Sequence, residues 1–346
     1  MPGLREKMIS AGFAAFGATR LHRLAAPLTR GLGAILMFHH VRPWVDRDFA
    51  PNRLLEITPD FLDAAIGLVR ARGFDLVSMD AALERIAAPG EAPFVVLTFD
   101  DGYRDNVGHA LPVLEKHAAP FTMYVTAGFA DRTARLWWVE LEEAVRRLDR
   151  VALDGLAFPT QNAAEKQRAF AILYRMLRAG PEERLLEVCA DLCRQAGIEP
   201  SEIPAGLCLD WADIRRLSAH PLATIGAHTL THPMLAKHPE AFVRQELAES
   251  RARIEHALGK PARHLAYPVG DPTSAGPREF AIARELGFAS AVTTRPGMIF
   301  AEHAAHATAL PRVSVNGCYQ SLGMLDILLS GAPFALWNRG RRVNAA

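Results

Sequence analysis

The stretch FVVLTFDDG, residues 94–102, decides the fold of this chain. Its first six residues are apolar or β-branched, which is typical of a strand buried on both faces. Asp100 and Asp101 follow that strand directly, and Gly102 permits a sharp turn after them. Because active sites of α/β proteins lie at the carboxyl ends of buried parallel strands, two adjacent carboxylates at this place point to chemistry. From the motif alone, a solvated Asp-Gly turn explains them equally well.

Strand-like and helix-like segments alternate on both sides of this stretch. Further apolar runs predict strands at 34–38, 121–126, 223–227, 264–267, 289–294 and 312–315. Helical patterns fall between them, at 59–73, 106–117, 242–258 and 280–286. Such alternation gives parallel strands joined by helices, so the chain predicts an α/β fold, either a barrel or a doubly wound sheet.

Residues 132–210 interrupt this alternation and predict a helical insertion. They show helical patterns only, at 136–148, 164–178 and 182–195. Two adjacent tryptophans, Trp137 and Trp138, open the insertion. Packing between the insertion and the main domain is favoured for them over a sugar-stacking platform, because Trp is largely buried on average.

The composition is that of an ordinary globular protein. Of 346 residues, 50% are hydrophobic and 22% are charged, and 39 Lys and Arg stand against 38 Asp and Glu. This balance gives no reason to expect a nucleic-acid partner. No segment has the composition of a membrane span, and four cysteines do not form a disulfide framework in a chain of this length. We expect one main domain over 34–316, followed by a C-terminal helix and basic tail over 317–346.

The N-terminal segment, residues 1–33, is basic and amphipathic. It contains one acidic residue, Glu6, and five basic ones, Arg5, Lys7, Arg20, Arg23 and Arg30. Apolar residues recur in it at roughly helical spacing, which predicts a helix or a pair of helices. Packing on the main domain, peripheral contact with a membrane surface and a cleaved signal peptide remain open, although Glu6 weighs against the last. We expect the protein in the cytoplasm or at the inner face of the membrane.

A second motif supplies ligands for a metal ion. GAHTLTH, residues 226–232, carries His228 and His232 four positions apart, where both imidazoles can reach one ion. Thr229 stands where a zinc protease motif has glutamate, so this motif lacks its own general base. The two carboxylates of the first motif offer the missing items, an oxygen ligand and a free base. Together the motifs predict a His/His/Asp site for one divalent ion, with an open position for water.

These residues resemble the polysaccharide deacetylase family, the NodB-like or chitooligosaccharide deacetylase group of carbohydrate esterase family 4. TFDDG at 98–102 and HTLTH at 228–232 are similar to its first two motifs, and the resemblance extends over about 34–316. It implies a distorted (β/α) barrel, one divalent ion, usually Zn2+, and hydrolysis of an N-acetyl group on an amino sugar of a poly- or oligosaccharide. By motif position it also implies the roles of individual residues: Asp100 as catalytic base, and Asp101, His228 and His232 as metal ligands.

The third motif of the family is only partly present. Ala266 stands where the family has an Arg that orients the base, so that support is absent or comes from another residue, such as Arg263 or Arg312. At position 269 a Val replaces the Tyr whose backbone N–H faces the oxyanion, and a backbone donor does not depend on its side chain. Tyr267 can line the site or simply pack. The candidates for substrate and oxyanion contacts are Tyr267, Pro268 and Val269.

The general acid is missing from its usual place. The family carries it as a His on a late strand, whereas no His follows Leu310 here. The predicted strand at 34–38 ends in His39 and His40 instead, and neighbours in a closed barrel do not depend on chain order. We predict His39 as the acid, with His40 as the alternative and a structural histidine as the third possibility.

Two other functions remain open from the sequence. One is deformylation or deacylation of a lipid-linked sugar or a non-sugar amide. The other is a barrel that binds metal and carbohydrate without catalysis. The intact set of two aspartates and two histidines favours an enzyme, and an N-acetylated carbohydrate is the expected substrate.

Overall fold

The computed structural model describes residues 17, 19–90 and 92–345. About half of the predicted N-terminal segment, residues 1–16, lies outside the described residues. The strands are β1 Gly33–Phe38, β2 His40–Val41, β3 Glu56–Ile57, β4 Asp75–Leu76, β5 Phe94–Phe99, β6 Phe121–Val125, β7 Arg150–Leu153, β8 Leu156–Pro159, β9 Ala223–Ala227, β10 His264–Ala266, β11 Ser290–Pro296 and β12 Leu310–Ser314. The α-helices are α1 Leu21–Thr29, α2 Pro59–Ala71, α3 Met79–Ala87, α4 Leu111–Lys116, α5 Ala127–Asp131, α6 Trp137–Arg147, α7 Ala163–Ala179, α8 Glu182–Gln195, α9 Glu202–Leu207, α10 Trp211–Ser218, α11 Glu240–Leu258, α12 Pro277–Glu285, α13 Leu322–Leu329 and α14 Ala332–Trp337. Short 3₁₀ or π turns lie at Pro51–Leu55, Asn106–Ala110, Leu235–Lys237, Ala301–Ala309 and Gly317–Tyr319.

Seven of these strands close into a parallel barrel. Their order around it is β1, β12, β11, β10, β9, β6 and β5, and β5 pairs again with β1, from Gly33 opposite Phe94 to Phe38 opposite Phe99. All seven lie where apolar runs predict strands. This closure confirms the (β/α) barrel and excludes the doubly wound sheet, because the first strand pairs on both sides.

The period of two along β5 separates the barrel interior from the helical layer. Phe94 and Val96 pack with interior residues of the other strands, whereas Val95 and Leu97 pack against the surrounding helices. The inward series continues through the end of the strand to Asp100. That carboxylate therefore emerges in the mouth of the barrel rather than between barrel and helices.

The predicted helical insertion contains a β-hairpin, so the prediction of helices alone is wrong over 150–159. β7 and β8 pair antiparallel, with Leu153 opposite Leu156. The turn residues Asp154 and Gly155 both have positive φ, 50° and 76°, which type I′ hairpin turns require. The Asp-Gly dipeptide is the sequence signal for this turn. Around the hairpin, α6, α7 and α8 share an apolar core of their own.

The two ends of the described chain meet near the amino ends of the barrel strands. α1 packs against α14, and the Thr29 hydroxyl donates to the Ser330 carbonyl at 2.6 Å. Gly31 then leads into β1; a Cβ at this glycine would lie 2.2 Å from the Ile299 carbonyl oxygen. The predicted C-terminal helix is a pair of helices, α13 and α14. None of the described helices combines the length and the apolar composition that crossing a membrane requires.

Candidate active site

An open groove of about 1330 Å³ lies at the carboxyl ends of the barrel strands. One side carries the residues expected from the motifs, His39, Asp100, Asp101, His228 and His232. The helical insertion forms the opposite wall with aromatic and basic side chains, Trp137, Phe170, Tyr174 and Arg175. The groove therefore joins the predicted chemistry to a surface that the barrel alone does not provide.

Asp100 forms a buried ion pair with Arg312 of β12. Two guanidinium nitrogens of Arg312 donate to the two carboxylate oxygens, at 2.7 and 2.6 Å. The same guanidinium also donates to the Thr293 carbonyl at 2.9 Å and to the Thr98 hydroxyl at 3.2 Å, which holds it in place. Burial raises the pKa of Asp100, but the charge and hydrogen bonds of Arg312, together with the nearby imidazoles of His228 and His39, outweigh burial and hold that pKa below its usual value. The carboxylate is thus ionised and fixed in orientation.

This pair settles which arginine lies against Asp100. Ala266 is buried in β10 and offers no charge. Arg263, the other candidate from the sequence, lies one residue before that strand and pairs with Asp80, at 3.3 Å. Arg312 approaches from β12 instead, so the support for the carboxylate comes from a strand 212 positions away in the sequence.

Asp101, His228 and His232 converge at one point. Asp101 Oδ1 lies 3.4 Å from His228 Nε2 and 3.3 Å from His232 Nε2, and all three side chains are buried. Asp101 and His232 both adopt positive φ, 68° and 65°, as does the intervening loop residue Thr229, at 62°. Such backbone geometry costs on the order of 1 kcal/mol or more per residue outside glycine, and it is typical of functional sites.

The donor set fits a divalent cation. Asp101 Oδ1 is buried and has no hydrogen-bond partner among the described residues, although buried carboxylate oxygens are normally satisfied. His228 Nδ1 lies 2.7 Å from the Ala266 carbonyl, which favours the proton on that nitrogen and leaves the Nε2 lone pair facing Asp101. Two imidazoles and one carboxylate whose ligand atoms lie within 4.8 Å of one another match the ligand types of a zinc site.

Three further side chains hold this ligand set, and the motifs do not reveal them. The rings of Phe129 and Trp138 lie 5.8 and 4.7 Å from the ring of His232 and pack against it. The buried carboxylate of Glu246, on α11, accepts from the backbone N–H groups of Leu230 and Thr231, each at 2.9 Å. Glu246 falls in a helix predicted from its periodicity, but only the folded chain brings it beneath the loop.

The structure separates His39 from His40. His39 is half-buried and lines the groove. His40 is buried and does not line it; its Nδ1 lies 2.6 Å from Asp105 Oδ2, and its ring stacks on Tyr103 at 3.6 Å. Burial lowers the pKa of His39, while the charge of Asp100 opposes this effect. Of the two neighbours, only His39 is placed to meet a substrate.

The third-motif residues divide between core and groove, which corrects the assignment of Tyr267 and Pro268 as substrate contacts. Tyr267 is fully buried and its hydroxyl donates to the Thr308 carbonyl at 2.8 Å, so its side chain belongs to the core. Pro268 is buried as well and does not line the groove. Val269 lines the groove with φ of 60°, and within the described residues its N–H makes no hydrogen bond. Its backbone donor remains a candidate oxyanion contact.

Trp137 and Trp138 are both buried, and both also contribute to the lining of the groove. Their rings meet edge to face at 5.7 Å, and Trp137 lies 5.3 Å from the ring of Tyr174. Packing between insertion and barrel, as favoured from the sequence, is thus their main role in the fold. Neither indole offers a free face comparable to a stacking platform.

Comparisons with known proteins identify solved structures of similar fold. Solved structures similar to this chain include IcaB from Ammonifex degensii, at 20% identity and a TM-score of 0.55, covering 87% of this chain and 98% of that one. A Streptococcus pyogenes deacetylase, PplD in complex with acetate, has 17% identity and a TM-score of 0.54, covering 82% and 92%. At these identities the likeness shows the fold alone. Among curated proteins no match is found.

A family model is more specific. The model described as polysaccharide deacetylase matches residues 87–291, which is more than half of the chain. The matched range includes both carboxylates of the first motif and both histidines of the second. The chain therefore belongs to the polysaccharide deacetylase family and is a hydrolase that acts on carbon–nitrogen amide bonds.

Proposed function

We propose that the protein is a metal-dependent deacetylase that removes an N-acetyl group from an amino sugar within a poly- or oligosaccharide. One observation carries the proposal. The two adjacent carboxylates of one strand end have separate partners in the same groove, Asp100 with Arg312 and Asp101 with two imidazoles. This separation gives one carboxylate for proton transfer and one for metal binding.

Asp101, His228 and His232 would hold the ion. Zn2+ is the expected one, because imidazole and carboxylate ligands in a set of three are typical of catalytic zinc. When bound, it polarises a substrate carbonyl and lowers the pKa of water. The carbonyl of Ala266 at His228 Nδ1 keeps the other ring nitrogen available as a ligand.

Asp100 acts as the general base. Arg312 binds both of its oxygens and keeps it ionised, and each oxygen retains a lone pair for the attacking water. Asp100 accepts a proton from that water as the new C–O bond forms. The Val269 N–H donates to the oxygen of the amide carbonyl, where negative charge develops.

His39 acts as the general acid. It lies in the groove with Asp100, and in its protonated form it donates to the amide nitrogen as the C–N bond breaks. The products are acetate and the free amine of the sugar. Asp100 takes up the proton that water loses, and His39 gives the proton that the amine gains, so the two transfers balance.

The groove supports a chain-like carbohydrate as the substrate. Its volume of about 1330 Å³ exceeds the roughly 300–1,000 Å³ of pockets that enclose a small ligand. It is open, and the half-buried ring of Tyr174 on the insertion wall offers an apolar contact for a sugar ring. The missing motif arginine and the displaced general acid favour the alternative of a barrel without catalysis. The Arg312–Asp100 pair and the position of His39 in the groove weigh against it.

Acetate release tests the proposal. Metal-stripped protein is incubated with N-acetylated oligosaccharides of increasing length, with and without added Zn2+, and acetate is measured. We expect release that needs the ion, increases with chain length and disappears in Asp100→Asn. Release of formate or of a longer acid would favour a different acyl group. Absence of any acid release by the metal-loaded protein would contradict the proposal.

A further inference from the structure

The surface formed by α1 and α14 exposes large apolar side chains. Leu21, Leu24 and Leu28 recur at helical spacing along one face of α1 and are 55%, 78% and 80% exposed. On α14, Leu336 and Trp337 are 68% and 58% exposed. The two helices pack against each other, so these five residues lie on neighbouring elements. Clusters of this kind mark contact sites, whereas single exposed leucines do not.

The charges of the same two segments are of one sign. Residues 17–30 and 331–346 contain no acidic residue and six arginines, Arg20, Arg23, Arg30, Arg339, Arg341 and Arg342. Arg23 pairs with Asp326 and Arg342 with Glu302, both at 3.0 Å. Within the described residues no ion pair involves the other four. The surface thus combines apolar side chains with an uncompensated positive charge, while the whole chain is nearly neutral.

We propose that this surface docks on an anionic lipid bilayer. Leucines on one helix face, arginines at the rim and a tryptophan beside them are the composition of helices that lie in a membrane interface. Arginines gain from the negative potential of acidic lipids, and this gain is independent of any specific partner. We therefore name a bilayer as the occupant rather than a second copy of this chain, whose identical arginines would repel across such a contact.

The position of the surface in the fold sets the orientation of the docked enzyme. α1 leads into the amino end of β1, whereas the groove lies at the carboxyl ends of the strands. Docking through α1 and α14 leaves the groove open to solution, where a soluble polymer can enter it. Trp44 lies on the groove side, stacked against Arg53 of the turn that lines the groove. Trp337 lies on the docking side.

Vesicle sedimentation of the full chain tests the proposal. Phosphatidylglycerol–phosphatidylcholine vesicles are compared with pure phosphatidylcholine vesicles, at low and high salt. We expect binding to the anionic vesicles that weakens with salt, and little binding to the neutral ones. Leu24→Asp combined with Leu28→Asp should weaken binding by roughly tenfold or more, since two leucines can no longer enter the interface. Leu156→Asp, a change at an exposed leucine of the hairpin, is the matched control and should bind normally.

Tryptophan emission tests the orientation. Binding should shift the emission to shorter wavelength in the wild type and in Trp44→Phe, but not in Trp337→Phe. Failure of the full chain to bind anionic vesicles would overturn the proposal, as would undiminished binding of the Leu24/Leu28 variant. If light scattering showed a dimer that this variant dissociates, and no vesicle binding, the surface would belong to a second copy. All of these readouts are independent of acetate release, so they do not depend on the proposed reaction.

Discussion

Replacing Arg312 by alanine tests whether its buried pair with Asp100 stabilises the fold as well as the carboxylate that we propose as the general base. The guanidinium is fully buried and makes two charge-assisted hydrogen bonds to the carboxylate. Its removal leaves an ionised carboxylate in the barrel without a partner. Breaking a buried pair in this way costs about 3–5 kcal/mol. Since native domains are stable by only about 5–15 kcal/mol, we expect Arg312→Ala to lose a large fraction of the free energy of unfolding.

A double-mutant cycle isolates the pair from the general cost of a cavity. Asp100→Asn should recover part of the loss caused by Arg312→Ala, because no uncompensated charge remains. We expect a coupling free energy of about 2 kcal/mol or more between the two sites, measured by urea unfolding of all four proteins. Additive effects of the two substitutions would refute the interpretation that they act as a pair.

Arg312→Lys keeps the charge and tests positioning. A lysine offers a point charge and no bidentate fork, so the carboxylate loses its fixed orientation while the fold is largely kept. We expect kcat to fall by roughly 10- to 100-fold, KM to change little and metal content to stay the same, because the ion is assigned to other residues. Unchanged kcat in a folded Arg312→Lys protein would show that Arg312 does not position the base.

Three further predictions concern the remaining residues. Asp100→Asn should abolish turnover and spare the bound divalent ion, whereas Asp101→Asn should lower both turnover and metal content. Elemental analysis measures the metal content, and equal metal loss in both variants would contradict the separate roles. His39→Ala should lower amide hydrolysis by roughly 10²–10⁴-fold and ester hydrolysis much less, since an ester leaving group needs less protonation. His40→Ala should lower the stability of the fold more than it lowers turnover. Near-normal amide turnover of His39→Ala would contradict its role as the general acid. Burial opposes ionisation of Asp326, but bonds from arginines outweigh it and lower its pKa to about 2. Because this folded-state pKa lies below the unfolded value, the carboxylate stabilises the protein above about pH 4 and loses this effect as the pH falls towards 2. Asp326→Asn should therefore unfold about 1–2 kcal/mol more easily at pH 7, with the difference shrinking in acid, and a pH-independent difference would argue against it.

Much of the barrel is predictable from local patterns. The barrel strands are rich in apolar and β-branched residues, because a parallel strand covered on both faces is largely buried, and the polar residues among them, such as Arg312 and Thr98, have buried partners. The hairpin at Asp154 and Gly155 is harder to predict from local patterns. Its turn signal is present, but its strands are short and half-exposed, so helical periodicity around them dominates.

The sequence by itself determined which side chains carry the proposed chemistry of the groove. Two carboxylates, Asp100 and Asp101, follow one strand, and two imidazoles, His228 and His232, follow another. Because parallel strands bring their carboxyl ends to one side of a barrel, this placement predicts that the four side chains lie close together. The types of the proposed metal ligands, two imidazoles and one carboxylate, and the second carboxylate that remains for proton transfer can be read from the residue types alone.

Only the tertiary structure decided which neighbours meet. Arg263 and Arg312 are equal candidates in sequence, and closure of the barrel between β12 and β1 brings the second one to Asp100, across 212 positions. His39 and His40 differ by one residue, and the register of the strand end turns one into the groove and the other onto Tyr103. The physical reason is the same in both cases: side-chain direction and long-range pairing depend on the register and closure of the sheet, and no local pattern encodes them.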